Sequence, residues 1–534
     1  MRVAVIGAGP VGQTTALLLA RWGVPVVLLD ERPCRDAAGS KAICQQGDVL
    51  DIWDSVGAGR AIAGEGVTWA CARTFYRDRE LFSYTLGKSD ASFPPFVNIS
   101  QARTEQILDQ RIAAEPLIDV RWNHKVTGID QDETGVTVHA GSVGVRASYA
   151  VACAGAGGEA VRQMLGVSFA GQAFADKFLI CDIRTDLPGW TAERRFYFDP
   201  PWNPGRQVLI HPCPDSTFRI DWQVPGDYDP ASDVLDARIR AVIGDRPYQV
   251  VWRSVYRFQS KVADRMRVGR VLLAGDCAHL FSPFGARGLN SGVADAENAA
   301  WKIAFVLRGW AGTDLLESYH AERHAAAVEN LAVTRATMDF LVPHDAEQLE
   351  RRRTVLAGAA GDAALRSQVD SGRLAEPFWY TASPLTTPDP ARPFAGRPPR
   401  GTVPAPAPGI LIPDVPLPGG RLRALARTGL VALGAIGTGG TRGGEARGGG
   451  ARGGGARGGG ARGVGARGGA ARADGAGAGW ECVTAVPMDD ALCRALGARP
   501  GEQWLIRPDA YVAAIARDPS ALSAALRRCL CLPG

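Results

Sequence analysis

An α/β fold in several parts is what this 534-residue sequence predicts, on three observations. Two glycine-rich stretches about 270 residues apart, GAGPVG from Gly7 to Gly12 and GDCAHLFSPFGARGLNSG from Gly275 to Gly292, each follow an apolar strand pattern and lead into an apolar-faced helix pattern. Between them lie short alternating segments broken by Pro and Gly, the signature of antiparallel strands. Beyond about residue 345 the composition shifts, first to a proline-rich stretch and then to a glycine-arginine repeat.

The chain opens on RVAVI, an apolar β-branched run, and QTTALLLARWG then has the apolar spacing and closing Gly23 of a helix. Strand, tight turn and helix make a Rossmann-like dinucleotide site. Gly7 permits the turn, Gly9 lets the backbone approach a pyrophosphate, and Gly12 lets helix and strand pack closely, with the phosphates at the helix N-terminus. A second strand, VPVVLLD, ends in Asp30, 18 residues after Gly12, placed to accept from a ribose hydroxyl. Residues 72–100 and 167–260 then carry RFYFDP, QVLIHP and TFRIDWQV, read as an inserted antiparallel sheet.

The segment KVADRMRVGRVLLAGD returns to the first domain. RVLLAG reads as a buried strand, and Asp276 just past its end is placed to accept hydrogen bonds from a polyol chain. Val293, Ala296, Ala300, Ile303, Ala304 and Leu307 mark one apolar helical face, with Gly309 as the stop. Gly288, Leu289 and Asn290 therefore sit at a helix N-terminus, where free N–H groups and a dipole of roughly half a positive charge favour an anion. A reduced flavin develops such a charge along its N1 and C2 carbonyl edge. The two stretches together imply FAD.

After about residue 345 a charged helical pattern gives way to the proline-rich stretch 377–418, read as a linker or surface wrap. Arginines then recur every five residues from 442 to 472 in a GGGAR-type repeat whose only acids are Glu445 and Asp474. Seven arginines against two acids account for the entire formal charge of +5. Such a tract cannot bury apolar surface, so residues 437–479 are expected to be disordered. It has no aromatic side chains to stack on bases, and no nucleic-acid role is expected.

The GD, AH, proline and GARGLNSG of the second stretch resemble the second FAD motif of the class A flavoprotein aromatic hydroxylases related to para-hydroxybenzoate hydroxylase. SKAICQQGDVLDIWDSVG and VNISQARTEQILDQRI resemble further segments of that family, so the resemblance runs over roughly residues 1 to 340. TGLVALGAI, ECVTAVPM and EQWLIRPDAYVAAI resemble the thioredoxin-like C-terminal domain of its phenol, polyketide and hydroxyphenylpropionate hydroxylase branch, here without the redox cysteine pair. The resemblance implies an FAD-binding domain over 1–71, 101–166 and 261–345, and a substrate domain over 72–100 and 167–260. A helical and proline-rich connection over 346–418 and a thioredoxin-like domain over 419–534, interrupted by the repeat, would follow. Carried over by position, Asp30 would hold the adenosine ribose, Gln101 would face the pyrophosphate or ribityl region, and Asp276 would bind the ribityl chain. Pro283 and Gly288 to Asn290 would line the isoalloxazine ring. Lys41 stands where the family usually has arginine, which keeps the charge but not the bidentate fork. Ala154 stands where the family has the Asp of an Asp-Gly pair associated with FAD and nicotinamide binding, a change that bears on reduction by NAD(P)H more than on FAD.

The activity so implied is an FAD-dependent monooxygenase that consumes NADPH or NADH and molecular oxygen and hydroxylates a small aromatic ring, phenolic or polyketide, through a flavin C4a-hydroperoxide. On the inferred sheet, His211, Arg219 and Trp222 are candidates to bind a phenolate or stack on the ring. Two alternatives stay open: another oxygenation on the same scaffold, such as Baeyer–Villiger insertion or antibiotic inactivation, and an FAD-binding protein without turnover. No catalytic side chain and no metal site are expected. Eleven cysteines without a C-x-x-C pair predict reduced thiols. No signal segment and no bilayer-length apolar run is evident, so a soluble, cytoplasmic protein is expected, with a homodimer left open.

Overall fold

A computed structural model describes residues 1–35, 42–87, 91–231, 234–398, 402–434 and 481–533. Lys41 and the GGGAR repeat lie outside the described residues. β1 (Val3–Ile6) and β2 (Val26–Leu29) are apolar runs buried at every position, as strands covered on both faces must be. Between them α1 (Pro10–Arg21) starts on a proline, whose missing N–H has no partner to lose in the first turn. β1 pairs in parallel with β2 and with Tyr149–Ala152. Ile118–Arg121 and Val271–Leu273 extend the sheet outward, and Arg267–Val268 closes one edge antiparallel. Strands run outward from β1 in both directions, so the loops after β1, Tyr149–Ala152 and Val271–Leu273 open at one end, the switch point at which such sheets bind ligands.

A second, eight-stranded sheet is built mainly from β3 (Phe169–Thr185), β4 (Glu193–Phe198), β5 (Gln207–Cys213), β6 (Thr217–Val224) and β7 (Tyr248–Ala263). Its neighbours run antiparallel with one exception: β4 pairs in parallel with Cys71–Tyr76. The expected sheet was antiparallel throughout. The hairpin of Cys71–Tyr76 and Arg79–Thr85 reaches the sheet by its own excursion, and the long connection that separates it from β4 is what parallel neighbours require. One face of this sheet packs Leu179, Val208, Ile210, Phe218, Ile220 and Trp222 against Ile239 and Ile243 of the helix Leu235–Ile243. The other face turns toward the first sheet.

α2 (Arg287–Leu307) is buried along almost its whole length and approaches α1 so closely that a Cβ on Gly292 would lie 2.6 Å from Val11. α3 (Glu317–Leu341) follows, and a further helix spans Ala346–Gly358, where the charged helical pattern was read. In the C-terminal unit β8 (Leu430–Leu433) lies parallel to β9 (Val483–Val486) and antiparallel to β10 (Gln503–Ile506), which pairs with β11 (Val512–Ala516) before α4 (Pro519–Cys529). One side of this unit has its own core around Val431, Leu433, Trp504 and Val512, whereas Ala514, Leu522, Leu526 and Cys529 join the core of the first domain. None of the eleven cysteines is held in a disulfide, and burial pushes Cys529, of the terminal C-x-C pair, up to about 12. Among the described residues no helix is long and apolar enough to cross a membrane.

Candidate cofactor and substrate site

A cavity of about 750 Å³ separates the switch-point loops of the first sheet from the inner face of the second. Its floor is the turn after β1. Gly7 has φ +100°, and a Cβ there would lie 2.4 Å from the Cys153 carbonyl oxygen. A Cβ on Gly12 would lie 1.8 Å from the Gly7 carbonyl oxygen, so helix and strand touch backbone to backbone. A Cβ on Gly9 would meet no protein atom within 4 Å. Gly9 therefore leaves the approach to the first turn of α1 open on the side where a pyrophosphate would lie.

Asp30 ends β2 at the cavity wall and is buried. It accepts hydrogen bonds from the Ala8 N–H at 2.7 Å, the Arg32 N–H at 2.9 Å and two Arg32 guanidinium nitrogens at 2.9 and 3.0 Å. Burial pushes its pKa up, but the bonds from Arg32 and Ala8 outweigh it and hold the carboxyl below its ordinary value. Four donors fill the acceptor sites of a carboxylate, so a ribose hydroxyl arriving here would displace the Arg32 fork. Gln101, at the start of the helix Gln101–Ala113, accepts from the Ala42 N–H at 3.1 Å and donates to Glu105 at 2.9 Å at the edge of the cavity. Arg35, which sequence reasoning passed over, ties the Ala8 carbonyl to Glu105, each at 2.9 Å, and also binds Asp109.

Asp276 lies in the turn Gly275–Cys277 and lines the cavity. The turn is fixed from behind by Asp295, which is fully buried and accepts from the Gly275 N–H at 2.9 Å, His279 at 2.7 Å and Arg323 at 2.6 Å. Burial raises the Asp295 carboxyl, yet Arg323 and His279 lower it further, to about 2. Pro283, Gly288 and Leu289 line the cavity, with Ala286 in the left-handed region at φ 57° as the cap of α2. The first N–H groups of α2 thus face the pocket without helical partners. The Asn290 side chain turns elsewhere: it accepts from the Gln46 N–H and donates to the Cys44 carbonyl, both at 3.0 Å, clamping Cys44–Gln46 to α2. Ala154 to Gly158 line the opposite wall, where Ala154 brings no carboxylate. Nearby Arg162 donates to the Cys277 carbonyl at 3.2 Å and lies over the Phe169 ring.

Strand register arranges the roof. Trp252, Asp182 and Arg219 lie side by side on β7, β3 and β6, and Arg219 is opposite His211 on β5. The adjoining row holds Ser254, Ile180, Asp221 and Leu209, the last opposite Phe196 on β4. Arg219 forms a fork to Asp182 at 2.7 and 2.9 Å and lies 5.4 Å over Trp252. His211 is driven well below its ordinary pKa by burial and by the cations Arg194 and Arg219, so its ring is neutral. Both residues line the cavity. Trp222 does not: it is 1% exposed in the apolar cluster on the opposite face. Strand side chains alternate, so a residue three beyond Arg219 cannot share its face. The residue two beyond, Asp221, does line the cavity and was missed, although its parity with Arg219 was readable in RIDW.

Residues 1–334 match the family model of an FAD binding domain. A rifampicin monooxygenase of Streptomyces venezuelae is 31% identical over 370 residues, covering 66% of this chain and 74% of that protein. A 3-(3-hydroxy-phenyl)propionate/3-hydroxycinnamic acid hydroxylase of Paraburkholderia xenovorans is 31% identical over 353 residues, 64% of this chain but 56% of that protein, so the match spans little more than half of the hydroxylase. The crystal structure of the flavin-dependent monooxygenase PieE in complex with FAD and substrate superposes with a TM-score of 0.79 over 100% of this chain and 99% of that one, at 22% identity.

Proposed function

The chain belongs to the FAD-binding-domain family of flavoprotein monooxygenases, and from that premise we propose that it is an NAD(P)H-consuming hydroxylase of an aromatic ring, phenolic or polyketide. The observation that carries this reading is the continuity of the cavity. One space of about 750 Å³ runs from the dinucleotide turn, past Asp276 and the start of α2, to an aromatic and charged sheet face. The residues present fit FAD: the open side of Gly9 suits a pyrophosphate, Asp30 would hold the adenosine ribose, Gln101 would face the pyrophosphate or ribityl region, and Asp276 suits a ribityl hydroxyl. Pro283, Gly288, Leu289 and the backbone of Asn290 would edge the isoalloxazine ring, where free N–H groups favour its anionic reduced form. FAD, when bound, supplies the two-electron chemistry and activates dioxygen.

This chain's own residues supply position and dryness. Phe178, Phe258 and Trp252 make the roof apolar and limit water at the ring, while Arg219 and His211 offer polar contacts for orientation. By the same reading, segments 1–71, 101–166 and 261–345 form the FAD domain, and 72–100 with 167–260 the substrate domain. Residues 346–418 connect these to a thioredoxin-like domain over 419–534, supported by its strand order β9-β8-β10-β11.

Ala154 supports a second reading, FAD binding without turnover, because a carboxylate is missing from the wall. Anaerobic titration of the flavin-loaded protein with NADPH and then NADH, with and without a panel of phenols, separates the two. Bleaching of the flavin absorbance that a phenol accelerates is the expected result; flavin that resists both donors supports the second reading.

A further inference from the structure

Asp182, His211 and Asp221 gather around Arg219 on the roof of the cavity. Arg219 is held in its fork by Asp182, and His211 is neutral. Asp221 differs. It lines the cavity and is only half-buried, yet its Oδ1 is sealed from solvent without a hydrogen-bond partner in the protein. Its cross-strand neighbours are Ile180 and Leu209, whose side chains have no donor to offer. A buried acceptor left without a donor costs about 1–3 kcal/mol, a cost that persists at functional sites.

We propose that Asp221 takes the hydroxyl proton of a phenolic substrate seated on this face, with the Arg219 guanidinium stabilising the charge left on the ring oxygen. This rests on the aromatic-hydroxylase reading above. In the step the phenol O–H bond breaks, an O–H bond forms on the Asp221 carboxyl, and the electron pair stays on the ring oxygen, enriching the ring carbons ortho and para to it. No electron leaves or enters the pair. The charged and titratable groups around Asp221 are Arg219 on its own strand, Asp182 on β3, Arg194 on β4, His211 on β5 and Tyr256 on β7. Burial raises the Asp221 carboxyl, Arg219 and Arg194 pull it back, and Asp182 adds to the rise, leaving it at about 7. A carboxyl at that value is a base matched to neutral pH.

The test uses the flavin-loaded protein with phenol and 2-naphthol as probes, whose hydroxyls titrate near 10 like that of tyrosine. Binding needs Asp221 ionised, so wild-type affinity rises about tenfold from pH 6 to pH 8, the change in ionised fraction of a group titrating near 7. In Asp221→Asn the affinity is flat with pH, kcat/KM falls by about 10²–10⁴ and its acid limb disappears, with flavin content unchanged. Asp221→Glu keeps the limb. Flat affinity in the wild type, a retained limb in Asp221→Asn, or no binding of either phenol at any pH overturns the assignment. Product is measured separately: pH-linked binding without a hydroxylated product keeps Asp221 and removes the hydroxylase.

Discussion

Asp295 accepts three hydrogen bonds below the turn that carries Asp276, and its pH behaviour follows from them. Its carboxyl titrates at about 2 in the fold and near 3.9 when unfolded, so its contribution of about 2–3 kcal/mol is fully present above about pH 4 and is lost as pH falls toward 2. The thermal midpoint of the wild type should drop over that window. Asp295→Asn, which leaves buried Arg323 without its anion, should destabilise by about 3–5 kcal/mol at pH 7 and show no such acid step. Asp276→Ala should purify with less FAD, and unchanged flavin content would remove Asp276 from the ribityl contact. Residues with short-range signals were legible in the sequence: Gly7, Gly9, Gly12, Asp30, Asp276 and the start of α2 each follow a strand or open a helix. Arg32 on Asp30, and Asp295 beneath Gly275, were not, because partner choice depends on which side chains folding brings together.

Among the elements, the turn into α1 separates architecture from binding. Gly12 meets the Gly7 backbone, so Gly12→Ala must push helix from strand and should lower the thermal midpoint sharply. Gly9 has φ −70° and open space beside it. Gly9→Ala should leave the apoprotein as stable or up to about 1 kcal/mol more so, yet weaken FAD retention by intruding where the phosphates approach. Differential scanning fluorimetry of both apoproteins, with flavin content measured alongside, distinguishes the two roles; equal loss of stability would contradict them. The strands of the second sheet were readable by alternation, but the faces they present are set by register. One error of parity put Trp222 in the site and left Asp221 out.

At the scale of the whole molecule, the C-terminal unit is bound to the flavin domain through buried charge. Glu322 on α3 accepts from Lys302 at 2.6 Å and from Arg507 at 2.9 Å, while Asp509 binds Arg507 at 2.6 Å and the Trp301 indole at 3.2 Å. Arg427 adds a second bridge, to Glu297 at 2.6 Å and Asp51 at 2.8 Å. α3 also carries Arg323, which binds Asp295, so this network reaches the turn of Asp276. Arg507→Met should therefore cost about 3–5 kcal/mol by stranding Glu322 and Asp509, and should lower flavin retention although it lies outside the cavity. A normal thermal midpoint and full flavin content would contradict that link. None of these pairings was legible in the sequence, where the partners lie up to 376 residues apart.

The measurement that bears most directly on the central claim is turnover of the flavin-loaded protein with NAD(P)H, a panel of phenols and isotopically labelled dioxygen, read by mass spectrometry. An FAD-dependent aromatic hydroxylase should place one labelled oxygen atom on the ring for each nicotinamide oxidised. Nicotinamide oxidation that yields only hydrogen peroxide with every ring offered, or none at all, would contradict it.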